Sequence, residues 1–196
     1  MRNNILLDEY PEWINLDEQK ELFYYVVYAN RWQFGQVSDN NIEPNYPQWF
    51  QSFYDLKHNR HPDSTPEICK VLAKRFQEQF ASPKEYTLVR CMASANTFGL
   101  DGDIHTDWPE QEQSVTAVLY TDKEWEPNWG GETIFYYNQF ARAITYAPRK
   151  LVVFDSSIPH IGKGPQRRCK EMRSILAFQA VRTTTLNNKL NNNSDK

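Results

Sequence analysis

A chain of 196 residues with a formal net charge of −3 is long enough to bury one hydrophobic core and short for two, and it lacks the overall basicity that tracks a nucleic acid or an anionic membrane surface. Cys69, Cys91 and Cys169 are odd in number and form no C-x-x-C pair, so neither a disulfide framework nor a zinc cage is expected and a reducing compartment is favoured. No basic segment leads into an apolar signal core near Met1, and no apolar run approaches the ~18 residues of a membrane span; the expected location is cytoplasmic.

Residues 1–182 read as one domain, in which 1–85 supply helical support and 86–182 a β core. Leu16 to Ala29 opens with Asp17, Glu18 and Glu21 at the positive end of a helix and continues through Phe23, Tyr24, Tyr25, Val26 and Val27, which should lie against a sheet. Asn30 to His61 carries Trp32, Phe34, Tyr46, Trp49, Phe53 and Tyr54 among Asn, Pro and Gln. This reads as an aromatic loop that either packs beneath itself or covers a site, with His58 and His61 on its surface. Ser64 and Glu67 form a capping-box pattern with Pro66 in the first turn. The helix they start carries Ile68, Val71, Leu72, Phe76 and Phe80 on one face, as core rather than as a cofactor box.

From Tyr86 onward short apolar segments alternate with turns, and the spacing predicts strands over 86–95, 103–107, 114–121, 132–137, 142–147, 150–155, 158–162 and 172–182. Eight such strands predict a mainly β (α+β) fold, a double-stranded β-helix or jelly roll with N-terminal supporting helices. Gly99, Gly102, Gly130 and Gly131 fall in its turns. The tail from 183 to 196, rich in Asn, has no periodicity and is expected to be disordered.

The chemistry-bearing residues fall inside this β region. His105-Thr106-Asp107 places an imidazole and a carboxylate at i and i+2, on one face of a strand about 6–7 Å apart, and Trp108-Pro109 ends regular pairing just beyond them. His160 follows the turn after the apolar run Leu151–Phe154. Two imidazoles and one carboxylate on one face of a metal leave positions open for a co-substrate and dioxygen, the arrangement of non-haem iron oxygenases. Arg173 begins the apolar strand Ser174–Phe178, where its planar, permanently charged guanidinium can grip the far carboxylate of 2-oxoglutarate. Taken singly, each part has a plain alternative: an H-x-D tripeptide is common, and a basic residue opening a strand can snorkel to solvent or pair with a surface acid.

Their order is far more specific. Val115 to Trp125 followed by Gly130-Gly131-Glu132-Thr133, lying between H-x-D and the distal histidine, resembles a passage of the iron(II)/2-oxoglutarate dioxygenase superfamily, most closely its prolyl-hydroxylase-like branch. The resemblance covers residues 86–182. It implies that His105, Asp107 and His160 are the catalytic iron ligands, that Arg173 anchors 2-oxoglutarate, and that the Tyr120 hydroxyl helps hold the same carboxylate. It further implies Fe(2+), 2-oxoglutarate and O2 as requirements, with ascorbate as an accessory reductant. The reaction would couple oxidative decarboxylation to hydroxylation of an unactivated C–H bond. Asp107 favours hydroxylation over halogenation, which needs a small residue there.

Two features depart from that branch. The interval from His160 to Arg173 is longer than in animal prolyl hydroxylases, so Lys170 competes as the anchor, and Thr121-Asp122 replaces the usual Leu-Asn. Arg173 is preferred because it starts the apolar strand and can point inward. Lys163, Arg167, Arg168 and Lys170 cluster with Arg173 around the distal histidine, either as a solvated loop or bordering the pocket mouth. The expected substrate is a peptide prolyl residue, with a free amino acid, other small molecule or nucleic acid as the alternative; no membrane partner is expected, and a nucleic acid is disfavoured because the acidic chain shows no phosphate-tracking basic groove apart from the loop around Arg167. A zinc hydrolase could use the same three ligands, but it needs a general base and gives Arg173 and Tyr120 no task. A silent jelly-roll binding module would have no need of the complete ligand set.

Overall fold

The computed structural model describes residues 7–28, 31–36, 47–56, 65–108, 113–137 and 139–186. Among these, ten strands form two antiparallel sheets: β1 (Leu7–Tyr10), β2 (Gln33–Gln36), β3 (Gln48–Asp55), β4 (Tyr86–Asn96), β5 (Ser114–Tyr120), β6 (Thr133–Tyr137), β7 (Phe140–Ile144), β8 (Leu151–Asp155), β9 (His160–Gly162) and β10 (Arg173–Arg182). The larger sheet runs β1-β8-β5-β10-β4-β3-β2 and the smaller β7-β6-β9. This is the expected jelly roll. The middle of the larger sheet is built from β5, β8 and β10, whose runs of Val, Ile, Leu and Phe are buried almost throughout because both faces of the sheet are covered.

Alternation along β10 separates those two faces. Leu176, Phe178 and Ala180 join Ala117, Leu119 and Val153 in a core closed by the helices α1 (Leu16–Leu22) and α2 (Glu67–Phe80). Phe76 of α2 stacks on Phe178 with ring centroids 5.5 Å apart, and truncating either ring costs about 3–5 kcal/mol. On the opposite face, Ile175 joins Val118, Tyr120 and Phe154 against Phe135, Ile144 and Tyr146. Arg173 opens this inner face, between the sheets.

The helices differ in detail from expectation. α1 begins at a complete capping box, in which Asn15 accepts from Asp17 and Glu18 while the Glu18 carboxylate accepts from the Asn15 N–H. It passes into a π-helical segment over Phe23–Tyr28 that buries Val26 and leaves Tyr24 and Tyr25 largely exposed. α2 starts from Pro66 with no side-chain cap, and Ser64 lies outside the described residues. Its buried face is Ile68, Cys69, Leu72, Ala73 and Phe76, while Val71 is exposed. All three cysteines are free and buried.

The first 85 residues are not helical support alone, because β1, β2 and β3 lie within them and extend both edges of the larger sheet. The segment read as an aromatic loop contains β2 and β3; Phe34 packs on Trp49 across the pair at 5.0 Å. Tyr46, His58 and His61 lie outside the described residues. The expected strand over 103–107 is reduced to a single antiparallel bridge between His105 and His160. At the C-terminus, 183–186 form a helical turn directly after β10, whereas 187–196 of the expected tail lie outside the described residues. No helix among the described residues is long and apolar enough to cross a membrane.

Candidate active site

That single bridge assembles the triad. His105 N–H donates to the His160 carbonyl at 3.0 Å and His160 N–H returns the bond at 2.9 Å, so the two residues face each other as a hydrogen-bonded antiparallel pair. Their rings lie 4.4 Å apart. Asp107 is fixed separately: its N–H donates to the Ser156 carbonyl at 2.9 Å, and its own carbonyl accepts from Gln179 Nε2 at 2.9 Å. The carboxylate therefore reaches the pair from a loop pinned to the turn after β8 and to β10, rather than from the i+2 position of a strand. His105 Nε2 lies 3.8 Å from Asp107 Oδ1 and His160 Nε2 3.8 Å from Oδ2. All three ligand atoms lie within 4.8 Å of one another.

Second contacts set the tautomers. His105 Nδ1 is 2.8 Å from the Asp103 carbonyl and His160 Nδ1 2.9 Å from the Ile158 carbonyl, so each Nδ1 carries the proton and each Nε2 offers its lone pair to the centre. His160 is buried beside the rings of Phe135 and Phe154. That burial holds its pKa below the ordinary imidazole value, although Asp107 pulls the other way. Two neutral imidazoles and one carboxylate, aimed at one point with no fourth protein ligand among the described residues, fit a divalent iron with open positions.

Arg173 is 2 % exposed. Its Nε donates to the Gly131 carbonyl at 2.8 Å and one terminal nitrogen to Thr133 Oγ1 at 2.8 Å, while Tyr120 and Tyr146 set ring faces 5.7 and 5.6 Å from its central carbon. Among the described residues it forms no ion pair. Its charge acts on the buried Asp122 carboxyl only at a distance. A buried cation without a paired anion is expensive, and a carboxylate entering here would be strongly held. The side of the guanidinium facing β9 is open because Gly162 has no side chain; a Cβ there would lie 3.2 Å from the nearer terminal nitrogen. Gly162 and His160 share one face of β9 a single two-residue step apart, about 6–7 Å, which is the length of a short dicarboxylic acid.

The Gly130-Gly131 pair has a local cause. Both residues adopt positive φ, 72° and 81°, and a Cβ on Gly131 would stand 2.9 Å from the Trp125 ring. Trp125 Nε1 in turn donates to the Gly130 carbonyl at 2.9 Å. The turn thereby delivers the Gly131 carbonyl to Arg173 and Thr133 to the pocket wall.

Sequence reasoning gave the Tyr120 hydroxyl a share in holding the co-substrate carboxylate, and its ring lies 5.7 Å from the central carbon of Arg173. Its hydroxyl shares a 2.9 Å hydrogen bond with Thr133 Oγ1, the same oxygen that accepts from Arg173. Tyr120 therefore supports Arg173 through Thr133, a contact made across the two sheets that no sequence spacing reveals. The basic loop takes the solvated one of its two alternatives, with Arg167 and Arg168 exposed. Lys170 is exposed, Lys163 pairs with Asp101, and the Gly164 N–H donates to the same carboxylate at 2.7 Å. Of the five clustered cations only Arg173 lines the cavity. A second cation unforeseen in the sequence, Arg90 of β4, lines it as well.

The cavity holds about 270 Å³ and is walled by the triad, Arg173, Thr133 and the inner faces of β4, β5 and β10. This jelly roll carries a candidate metal triad of two histidines and one aspartate, with a buried arginine beside it that has no ion-pair partner among the described residues, and its fold is that of solved 2-oxoglutarate/iron(II) oxygenases. Solved structures agree on the fold. A prolyl hydroxylase from Trichoplax adhaerens, in complex with a hypoxia-inducible-factor peptide fragment, superposes with a TM-score of 0.67 at 18% identity, covering 92% of this chain and 84% of that one. A prolyl-4-hydroxylase from Pseudomonas putida gives 0.64 at 17% identity, covering 91% and 92%. An oxidoreductase of the 2-oxoglutarate-Fe(II) oxygenase family from Burkholderia pseudomallei gives 0.68 at 13%, covering 89% and 84%. No protein-family model and no curated protein matches the sequence.

Proposed function

We propose that this protein is an iron(II)- and 2-oxoglutarate-dependent dioxygenase that hydroxylates an unactivated C–H bond, in the manner of the prolyl hydroxylases whose fold it shares. The observation that carries the reading is the pairing of the triad with Arg173: an open metal face, and a buried cation whose missing partner is a carboxylate. His105, Asp107 and His160 hold the iron and Arg173 the far carboxylate of 2-oxoglutarate. The bound iron supplies oxidative chemistry in which 2-oxoglutarate, O2 and a substrate R–H become succinate, CO2 and R–OH.

The chain's own residues orient and enclose. Asp103 and Ile158 lock the imidazole tautomers, Gln179 and Ser156 fix the aspartate backbone, and Thr133 with Gly131 aims the guanidinium. Met92, Val118, Ile175 and Ala177 give the cavity an apolar middle that suits the hydrocarbon part of a substrate and keeps water from the reacting centre. A zinc hydrolase is disfavoured because, among the described residues, the cavity wall carries no acid or histidine outside the triad to serve as general base.

A prolyl residue of a peptide is the first substrate class to test, followed by free amino acids and other small molecules; methylated oligonucleotides serve as the contrast. The deciding experiment is succinate release with iron and 2-oxoglutarate across these classes. Substrate-stimulated succinate supports the reading, and no iron-dependent 2-oxoglutarate turnover, coupled or uncoupled, overturns it.

A further inference from the structure

The cavity has a cation at each end. Arg173 faces Asn96 across the β10–β4 ladder, and Arg90 lies six residues along β4 from Asn96, opposite Gln179, which is about 20 Å of strand. Between the two ends, the register brings Met92, Ala177 and Val118 into one apolar row. The next row is polar: Arg90, Gln179 and Thr116. Gln179 binds the backbone of Asp107, so this polar row lies beneath the metal ligands on the side away from Arg173. With 2-oxoglutarate occupying the Arg173 side, the other substrate must enter over Arg90.

Arg90 is poised but hardly used. Its side chain is 27% exposed, and its ion pair is a 3.6 Å approach of Nε to Asp55 Oδ2, beyond a good hydrogen bond. The two terminal nitrogens make no hydrogen bond among the described residues. Asp55 thus meets the guanidinium at Nε, while the residue lines the cavity and its two terminal nitrogens remain to match a carboxylate with two parallel bonds. A cavity of 270 Å³ is near the lower limit of about 300 Å³ usual for small-molecule sites. It holds the co-substrate and one amino-acid-sized group.

We infer that Arg90 is the recognition residue for the hydroxylation substrate, and that this substrate carries a free carboxylate: a free amino acid or a chain-terminal residue rather than an internal residue of a long peptide. The carboxylate binds the Arg90 fork, the apolar row of Met92, Ala177 and Val118 takes the hydrocarbon, and the target C–H lies under the triad. This rests on the oxygenase reading and narrows its substrate class.

The test is binding, read without turnover. The iron(II)-loaded protein is titrated anaerobically with 2-oxoglutarate, then with free L-amino acids, L-proline first, and with their primary amides, following the visible iron–2-oxoglutarate band. At least one free amino acid should perturb the band and bind roughly 10- to 100-fold tighter than its amide, the loss expected when a charged hydrogen-bonding group is removed. Arg90→Gln should erase that difference while 2-oxoglutarate affinity holds. Arg90→Gln/Asp55→Asn, in which the carboxylate facing Arg90 is neutralised as well, should behave likewise if the first variant folds poorly. Equal binding of acids and amides by the wild type, binding of neither, discrimination that survives in both variants, or weakened 2-oxoglutarate binding in both would each overturn the inference and leave the oxygenase reading standing. A wild type that forms no complex with iron and 2-oxoglutarate removes both.

Discussion

Replacing Arg173 by methionine keeps an unbranched apolar stem in a 2 % exposed position and deletes the guanidinium. Of its five N–H groups, one donates to Gly131 and one to Thr133, which leaves three for a ligand, enough for a two-bond grip on a carboxylate. Hydrogen bonds to charged groups contribute about 1.5–3 kcal/mol each, so losing two weakens 2-oxoglutarate binding by about 3–6 kcal/mol, a factor of ~150 to above 10⁴. The fold should suffer less. No ion pair is broken, Thr133 keeps its bond to the Tyr120 hydroxyl, and the Gly131 carbonyl left without its donor costs about 1–3 kcal/mol at most. The assay is an anaerobic titration of the iron(II)-loaded variant with 2-oxoglutarate, alongside a thermal melt. A variant that folds and binds 2-oxoglutarate as tightly as the wild type removes Arg173 from the site and refutes the argument from its missing partner.

Gly162→Ala places a methyl group 3.2 Å from the Arg173 guanidinium; crowding of about 1–3 kcal/mol should raise the 2-oxoglutarate dissociation constant roughly 5- to 150-fold while iron binding is retained, and an unchanged constant would show that the co-substrate does not use that face. Burial pushes the Asp122 carboxyl up to about 6 from 3.8, against the donors Tyr146 and Ser174 and the charge of Arg173. Because the folded value lies above the unfolded one, folding takes up a proton between them: the favourable contribution is complete below pH 4 and lost as pH rises through 6. The gap corresponds to about 3 kcal/mol at most. The melting temperature of wild type relative to Asp122→Asn should therefore rise as pH falls from 7 to 4, and a difference independent of pH contradicts the assignment.

The β core was legible because β5, β8 and β10 are apolar on both faces, a pattern that survives in any arrangement of their neighbours. The ligand order was legible too, since His105, Asp107, His160 and Arg173 keep their sequence whatever the loops between them do. β2 and β3 were not. Gln33–Gln36 and Gln48–Asp55 sit among Asn, Pro and Gln, and become strands because the open edge of β4 offers a ladder to pair with. The geometry of the triad escaped for a similar reason: the contact that joins His105 to His160 is a two-bond bridge across 55 residues, and local spacing suggested a strand instead. Arg90 did leave a signal. A lone cation inside the run from Tyr86 to Ala95, in phase with Met92, Ser94 and Asn96, has to face whatever that side of the strand encloses.

The central claim is that three side chains hold one iron, and calorimetric titration of the wild type with iron(II) under anaerobic conditions, repeated for His105→Ala, Asp107→Ala and His160→Ala, tests it most directly. One ion should bind per chain in the wild type, with at least a tenfold loss of affinity in each variant, the scale on which even supporting contacts of metal sites act. Wild-type affinity in any one of the three folded variants would contradict the account.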